Sequence, residues 1–196
     1  GVGNIGVIDN DLVSLSNIHR QSLYDIRDLK KSKVVCVKNK LIKINPKSII
    51  KIYNLKLDKS NAAKIMKQYD FIVDGSDNFK TKFLINDFSL KLKKFLVTGA
   101  ISKFDGHIFT YNFDNKKTPC LRCFFQEDKI SDDILNCEYE GVLGTVAGIV
   151  GILQANEVLK QILNIGKNLD GEILILDLLL LNFRKIKIKK IKNCIC

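Results

Sequence analysis

Val7-Ile-Asp9-Asn-Asp-Leu-Val-Ser-Leu-Ser16-Asn17-Ile-His19-Arg20-Gln21 opens as a strand, closes that strand on an acidic residue, and continues as a polar segment carrying Ser16, Asn17, His19 and Arg20. Taken alone, the stretch is a strand followed by a solvated loop. Its chemistry, however, is that of a nucleotide grip. An acidic side chain at a strand's carboxyl end can accept both ribose hydroxyl protons, and the planar fork of an Arg a few residues on can reach phosphate oxygens. What stands farther along the chain decides between the two.

The preceding Gly1-Val-Gly3-Asn-Ile-Gly6 has the letters of a dinucleotide fingerprint without its setting. Such glycines work when they follow one strand and open a helix whose amino end holds the pyrophosphate. Here no strand precedes them in the sequence, and Ile5 to Asp9 is strand-like. We therefore expect the glycines to form the turn entering the strand. Asp9 then takes the place of the acid that follows a true glycine loop by about 20 residues. Because Gly1 is not a Met, that loop is expected upstream, with this chain an N-terminally truncated single domain over residues 1–196.

Downstream, Val34, Val37, Leu41 and Ile44 recur at helical spacing, and Pro46 marks the end of that helix. Extended Ser48–Leu57, helical Asn61–Gln68, and a short buried strand Phe71–Val73 follow, the last delivering Asp74-Gly-Ser-Asp77-Asn78. A helix over Phe79–Leu92, a strand over Phe95–Thr98, a pair of strands within His107–Phe113 and a helix over Thr145–Leu163 complete the expectation. Alternation of this kind predicts an α/β fold: a Rossmann-like, doubly wound, mainly parallel sheet with an antiparallel extension. Strand carboxyl ends would then share one edge, and Asp9 and Asp77 would meet in the crevice where such folds bind ligands. With Lys33 near a helix start, the set is a ribose acceptor, two cations for phosphates and a carboxylate for Mg²⁺, which together describe an ATP site.

Composition bounds the rest. A chain of 196 residues that is 46% hydrophobic, with mean hydropathy near zero, suits one buried core. The apolar runs Val142–Leu153 and Ile173–Leu181 fall short of the roughly 18 residues of a membrane helix, so a cytoplasmic protein without membrane contact is expected. The net charge of +11 comes mostly from dispersed Lys accompanied by Ile and Asn, a compositional bias more than a nucleic-acid face. Arg184–Lys190 alternates cation with Ile and predicts a strand wetted on one face. Gly148 and Gly151 within the long C-terminal helix would each cost it roughly 1 kcal/mol relative to Ala, which implies that something packs closely there.

Six cysteines in a chain with no secretory signal point to metal or thiol chemistry before disulfides. Cys120-Leu-Arg-Cys123 and Cys194-Ile-Cys196 could tie distant segments around one tetrahedral Zn²⁺, although a CxC pair is less usual for zinc than CxxC. Cys36, on an apolar helix face, is expected in the core.

The ordered set Asp9-x-Asp-x-Val-x-x-Ser16-Asn17-x-x-Arg20-Gln21, Lys33, Ile44-Asn-Pro46, Asp74-x-Ser-Asp77-Asn78, the cysteine pairs, Gly141-Val-Leu-Gly144 and Leu153-Gln-Ala-x-Glu-Val-Leu-Lys160 resembles the ThiF/MoeB/HesA family, the relatives of ubiquitin-activating enzymes. The resemblance implies ATP-dependent adenylation of the C-terminal Gly-Gly carboxylate of a ubiquitin-like sulfur-carrier protein, for thiamine or molybdopterin synthesis or tRNA thiolation. It implies a homodimer, with a sulfurtransferase or cysteine desulfurase as a further partner and no direct nucleic-acid contact. By resemblance, Asp9 holds the ribose, Ser16, Asn17 and Arg20 help hold phosphates, Lys33 contacts phosphates, Asp77 binds Mg²⁺ with Asn78 beside it, and Cys120, Cys123, Cys194 and Cys196 bind zinc. A carboxylate with a pKa of about 3.5 is already ionised at neutral pH, so the task is to bring two anions together, not to remove a proton. His19 stands where relatives commonly have Gln and reads as a lining residue.

Cys137 matches the cysteine that takes the activated carrier as a thioester or acyl disulfide in some members. Its neighbours Glu138 and Glu140 raise a thiol's pKa and argue against an intrinsically reactive thiolate. Three departures from the family pattern stand out: the absent glycine loop with its upstream Arg, Thr145 in place of Pro, and CxC in place of CxxC. From the first we expect residues 1–196 alone to bind ATP poorly and to be inactive. Competing readings are adenylation of a tRNA nucleoside carboxylate, a nicotinamide oxidoreductase, for which no hydride-handling residues are evident, and a basic zinc-bound nucleic-acid module.

Overall fold

The computed structural model describes residues 2–114, 118–125 and 141–196, which form two compact units, residues 1–58 and 59–196. In the first unit, β1 (Asn4–Ile8) and β2 (Ile49–Tyr53) pair in parallel, with Gly6 opposite Lys51 and Ile8 opposite Tyr53. Between them lie a single turn, α1 (Leu15–Ile18), and α2 (Lys33–Ile44). Val34 and Val37 are buried on α2 together with Cys36, which is the core residue expected. Gly3 precedes β1, but Gly6 sits inside the strand, so only part of the expected glycine turn exists.

The second unit is built on a five-stranded sheet in the order β3 (Phe71–Asp74), β4 (Phe95–Ser102), β5 (Asp105–Asn112), β6 (Glu172–Asp177), β7 (Asn182–Lys187). The pair β3–β4 is parallel, and the three remaining pairings are antiparallel. The α/β class holds, with the antiparallel extension larger than the alternation suggested. His107–Phe113 proved not to hold a pair of strands; β5 is a single strand between β4 and β6, connected to β4 through a turn at Lys103 with φ 47°. Nor is the last strand wetted on one face only: all six residues of β7, the terminal strand of the sheet, are exposed, so neither face is covered among the described residues.

Helices α3 (Ala62–Met66), α4 (Phe79–Lys91), α5 (Leu121–Phe124) and α6 (Gly144–Leu163) complete the unit. Asn78 caps α4 by accepting a hydrogen bond from the Thr81 amide at 2.9 Å, satisfying one of the helix's orphan donors. Its inward stripe is Lys82, Phe83, Ile85, Asn86 and Ser89. The helix α6 ends at Asn164, whose left-handed backbone (φ 52°) stops it.

By length and composition α6 could cross a membrane, contrary to the sequence expectation that no run sufficed. One face of it packs in the core, Val146, Val150 and Val158 lying buried against Val97, Ile108 and Leu176, while Ile152 and Leu163 are exposed. Glu157 is also buried and accepts hydrogen bonds from Thr110 Oγ1 at 3.3 Å and the Leu169 amide at 2.9 Å. The close approach lies elsewhere than expected. A Cβ on Gly148 or Gly151 would have nothing within 4 Å, whereas one on Gly106 would meet Val150 Cγ2 at 2.5 Å and one on Gly99 would meet Gln154 Cδ at 2.7 Å. Bare glycines on the sheet, not on the helix, let α6 press down.

Candidate nucleotide and metal sites

At the end of β1 the Asp9 carboxylate caps the turn, its Oδ1 accepting from the Asp11 amide at 2.8 Å. Asp11 in turn receives Lys33, which is buried at the first turn of α2: Nζ donates to Asp11 Oδ2 at 2.8 Å, and the Lys33 amide donates to the Asp11 carbonyl at 3.0 Å. Asp9, Asp11 and Lys33 thus form one connected group. An isolated β-bridge between Leu12 and Ser32 holds the two segments together. Tyr24 joins the group electrostatically; burial, reinforced by Asp9 and other nearby acids, pushes its hydroxyl up to about 12.

Arg20 is held more locally. Its Nη1 donates to the Ser16 carbonyl at 2.7 Å and lies 3.0 Å from His19 Nε2. Ser16 Oγ is 2.9 Å from Ser14 Oγ, and the Asn17 carbonyl accepts from the Arg20 and Gln21 amides. The segment therefore presents Ser16 and Arg20 from one short turn with Asn17 between them.

Asp77 belongs to the second unit, exposed in the junction between β3 and α4. Among the described residues its one hydrogen-bond partner is Asn78, whose Nδ2 donates to Oδ1 at 3.2 Å. A carboxylate with one oxygen free of hydrogen bonds among the described residues suits Mg²⁺, which keeps several waters and takes one or two carboxylates. Cys137, Glu138 and Glu140 lie outside the described residues.

The structure brings the four cysteines of the two pairs together, those of the CxC end included. The Sγ atoms of Cys120, Cys123, Cys194 and Cys196 all lie within 4.8 Å of one another. Cys120 is 3.6 Å from Cys194, and Cys123 is 3.4 Å from Cys196. Four thiolates at about 2.3 Å from a tetrahedral zinc stand roughly 3.8 Å apart, so the donor set fits that ion. The CxC end succeeds because Asn193 takes a left-handed conformation (φ 67°), turning the chain just before the pair. Burial and crowding push the Cys120 thiol up and Cys196 up to about 11, whereas at Cys194 burial is outweighed by hydrogen bonds from Cys196, Cys123 and Cys120, which lower it. The CxxC turn is clamped to α4: Asn86 Oδ1 accepts from the Leu121 amide at 2.9 Å, and Arg122 makes a two-pronged pair with Asp87 at 2.8 Å for each prong.

Sequence reasoning missed Asp11 as the partner of Lys33, and it missed Tyr24. It also missed a buried pair behind Asp77, Lys82 and Asp74, whose only signal was a Lys at an inward helical position.

The chain belongs to the ThiF family, whose model matches residues 1–196. It is 38% identical, over 99% of its length and 73% of the other's, to the sulfur carrier protein adenylyltransferase of Thermus thermophilus. It is 40% identical to the adenylyltransferase and sulfurtransferase MOCS3 of Xenopus laevis, covering 98% of this chain and 42% of that one. The probable molybdopterin-synthase adenylyltransferase of Porphyra purpurea is 39% identical, and the chain spans about half of it, 49%. The fold matches E. coli MccB crystallised with ATP, with a TM-score of 0.84 at 20% identity over 100% of this chain and 59% of that one.

Proposed function

We propose that the protein of which this chain is a part adenylates the C-terminal Gly-Gly carboxylate of a ubiquitin-like sulfur-carrier protein, releasing pyrophosphate. The observation that carries this is the connected group Asp9–Asp11–Lys33 in a ThiF-family chain whose relatives are named for that activity. Asp9 accepts from the ribose hydroxyls. Lys33 and Arg20 offset the phosphate charge, and Ser16 and Asn17 contribute hydrogen bonds, so that the carrier's carboxylate can approach the α-phosphorus against less repulsion. Asp77, oriented by Asn78, would hold Mg²⁺, whose chemistry when bound would be neutralisation of phosphate charge. The four cysteines would hold zinc, tying the segment after β7 to the CxxC turn.

Lys33 is already paired with Asp11, and that pairing suits the role. An ammonium held by an exposed carboxylate keeps its position without nucleotide and can share its donors when phosphate arrives. Cys137 is proposed as an acceptor of the activated carrier, and a homodimer in the cytoplasm, served by a sulfurtransferase or cysteine desulfurase, as the working assembly.

The test is carrier-dependent exchange of pyrophosphate into ATP by the full protein, with thiamine-type and molybdopterin-type carriers compared. Asp77→Ala should lower exchange at least a hundredfold and Cys137→Ala should leave it intact. Undiminished exchange by Asp77→Ala would remove the basis of the assignment.

A further inference from the structure

Behind the exposed Asp77 lies a group of buried polar residues that the nucleotide reading does not use. Asp74, 1% exposed, ends β3, and Lys82, 6% exposed, lies on the first turns of α4. Lys82 Nζ stands 3.2 Å from Asp74 Oδ2 and donates to the Gly99 carbonyl at 2.6 Å. Thr98 Oγ1 donates to the same Oδ2. The other oxygen, Oδ1, accepts from the Ser76 amide at 2.8 Å and the Ser76 hydroxyl at 2.6 Å. The Asp74 carbonyl accepts from Gln154 Nε2 at 2.8 Å, which brings α6 into the same group.

A buried ion pair of this kind is poor evidence for stability, because well-packed apolar residues of similar volume usually serve as well or better. Its distinctive product is geometry. Asp74 fixes Ser76 by two hydrogen bonds, and Asn78 is fixed as the cap of α4. Asp77 is the single residue between those two anchored points, with its carboxylate exposed.

We infer that Lys82 is a positioning residue for the divalent cation of the nucleotide: by holding Asp74, it sets the turn from which Asp77 reaches the metal. The inference rests on the assignment of Asp77 to Mg²⁺ made above. Lys82 touches neither metal nor nucleotide in this role; it acts through Asp74 and the 75–77 turn.

The experiment measures binding of a non-hydrolysable ATP analogue to the full protein with and without Mn²⁺, following bound Mn²⁺ by electron paramagnetic resonance. Lys82→Met should weaken the Mn²⁺-loaded analogue at least tenfold while changing affinity for the metal-free analogue less than threefold. Lys82→Arg, which retains the charge and donors, should return to within threefold of the parent protein. Should Lys82→Met fail to fold, the charge-balanced Asp74→Asn/Lys82→Met variant carries the same expectation. Parental Mn²⁺ affinity in a folded Lys82→Met or double variant overturns the inference, as does an equal loss with and without metal. Asp77→Ala, run in parallel, separates the two claims. If it abolishes the metal-dependent gain and Lys82→Met does not, only the positioning role fails; if Asp77→Ala also leaves the gain intact, the assignment of Asp77 itself is wrong.

Discussion

Two lysine–aspartate pairs, one in each unit, share a chemistry and differ in setting. Lys33 is nearly buried but its partner Asp11 has a side chain 60% exposed, whereas Lys82 and Asp74 are enclosed at 7% and 1%. The first pair is open on one side, so its ammonium can be shared with an incoming anion at small cost to the fold. The second is closed on every side by Thr98, Gly99, Ser76 and Gln154. A lysine in the first setting is available to a ligand; in the second it is part of the frame around Asp74, next to the turn that carries the Asp77 carboxylate.

The contrast can be broken by mutation. Lys82→Met alone leaves an uncompensated buried carboxylate and should cost about 3–5 kcal/mol in urea unfolding, much of it recovered in Asp74→Asn/Lys82→Met. Equal stability of single and double variants would show that the pair is not closed. One step out in the same frame, Gly106→Ala should cost about 1–3 kcal/mol, because the new methyl would stand 2.5 Å from Val150. Thermal melts should also separate it from Gly148→Ala, where the space is open and about 1 kcal/mol of stabilisation is expected. Removing the α4 cap with Asn78→Ala should cost about 1 kcal/mol. Smallest in stability, Lys33→Met should shift unfolding by no more than about 1 kcal/mol while weakening ATP binding at least tenfold by calorimetry. If Lys33→Met unfolded the protein as Lys82→Met does, the two settings would not differ in kind.

Much of the first setting was legible in the sequence. A strand closing at Asp9 and a helix starting near Lys33 are local events, written in residues a few positions apart. Local signals also located α3, β3, α4 and α6 to within a few residues, though not α5 or β6, and the spacing of cysteines pointed to a cluster whose members are over 70 positions apart. What stayed hidden depends on pairing across the fold. Asp74 meets Thr98 from β4 and Gln154 from α6, partners 24 and 80 residues away, which no periodicity reports. The same limit misplaced the close helix–sheet contact. Gly148 and Gly151 advertise room, but the room is used only where a neighbour arrives, and the neighbours arrive at Gly99 and Gly106. The extent of the antiparallel extension escaped for the same reason, since β5's alternation fits a strand with partners on either side and does not name them.

Adenylation itself is most directly tested by mass spectrometry of the sulfur carrier after incubation with the full protein, ATP and Mg²⁺ in the presence of pyrophosphatase. The account predicts a carrier heavier by one AMP at its C-terminal glycine, lost when that glycine is deleted and absent with Asp77→Ala. Turnover of ATP to ADP and phosphate, with the carrier's mass unchanged, would contradict it.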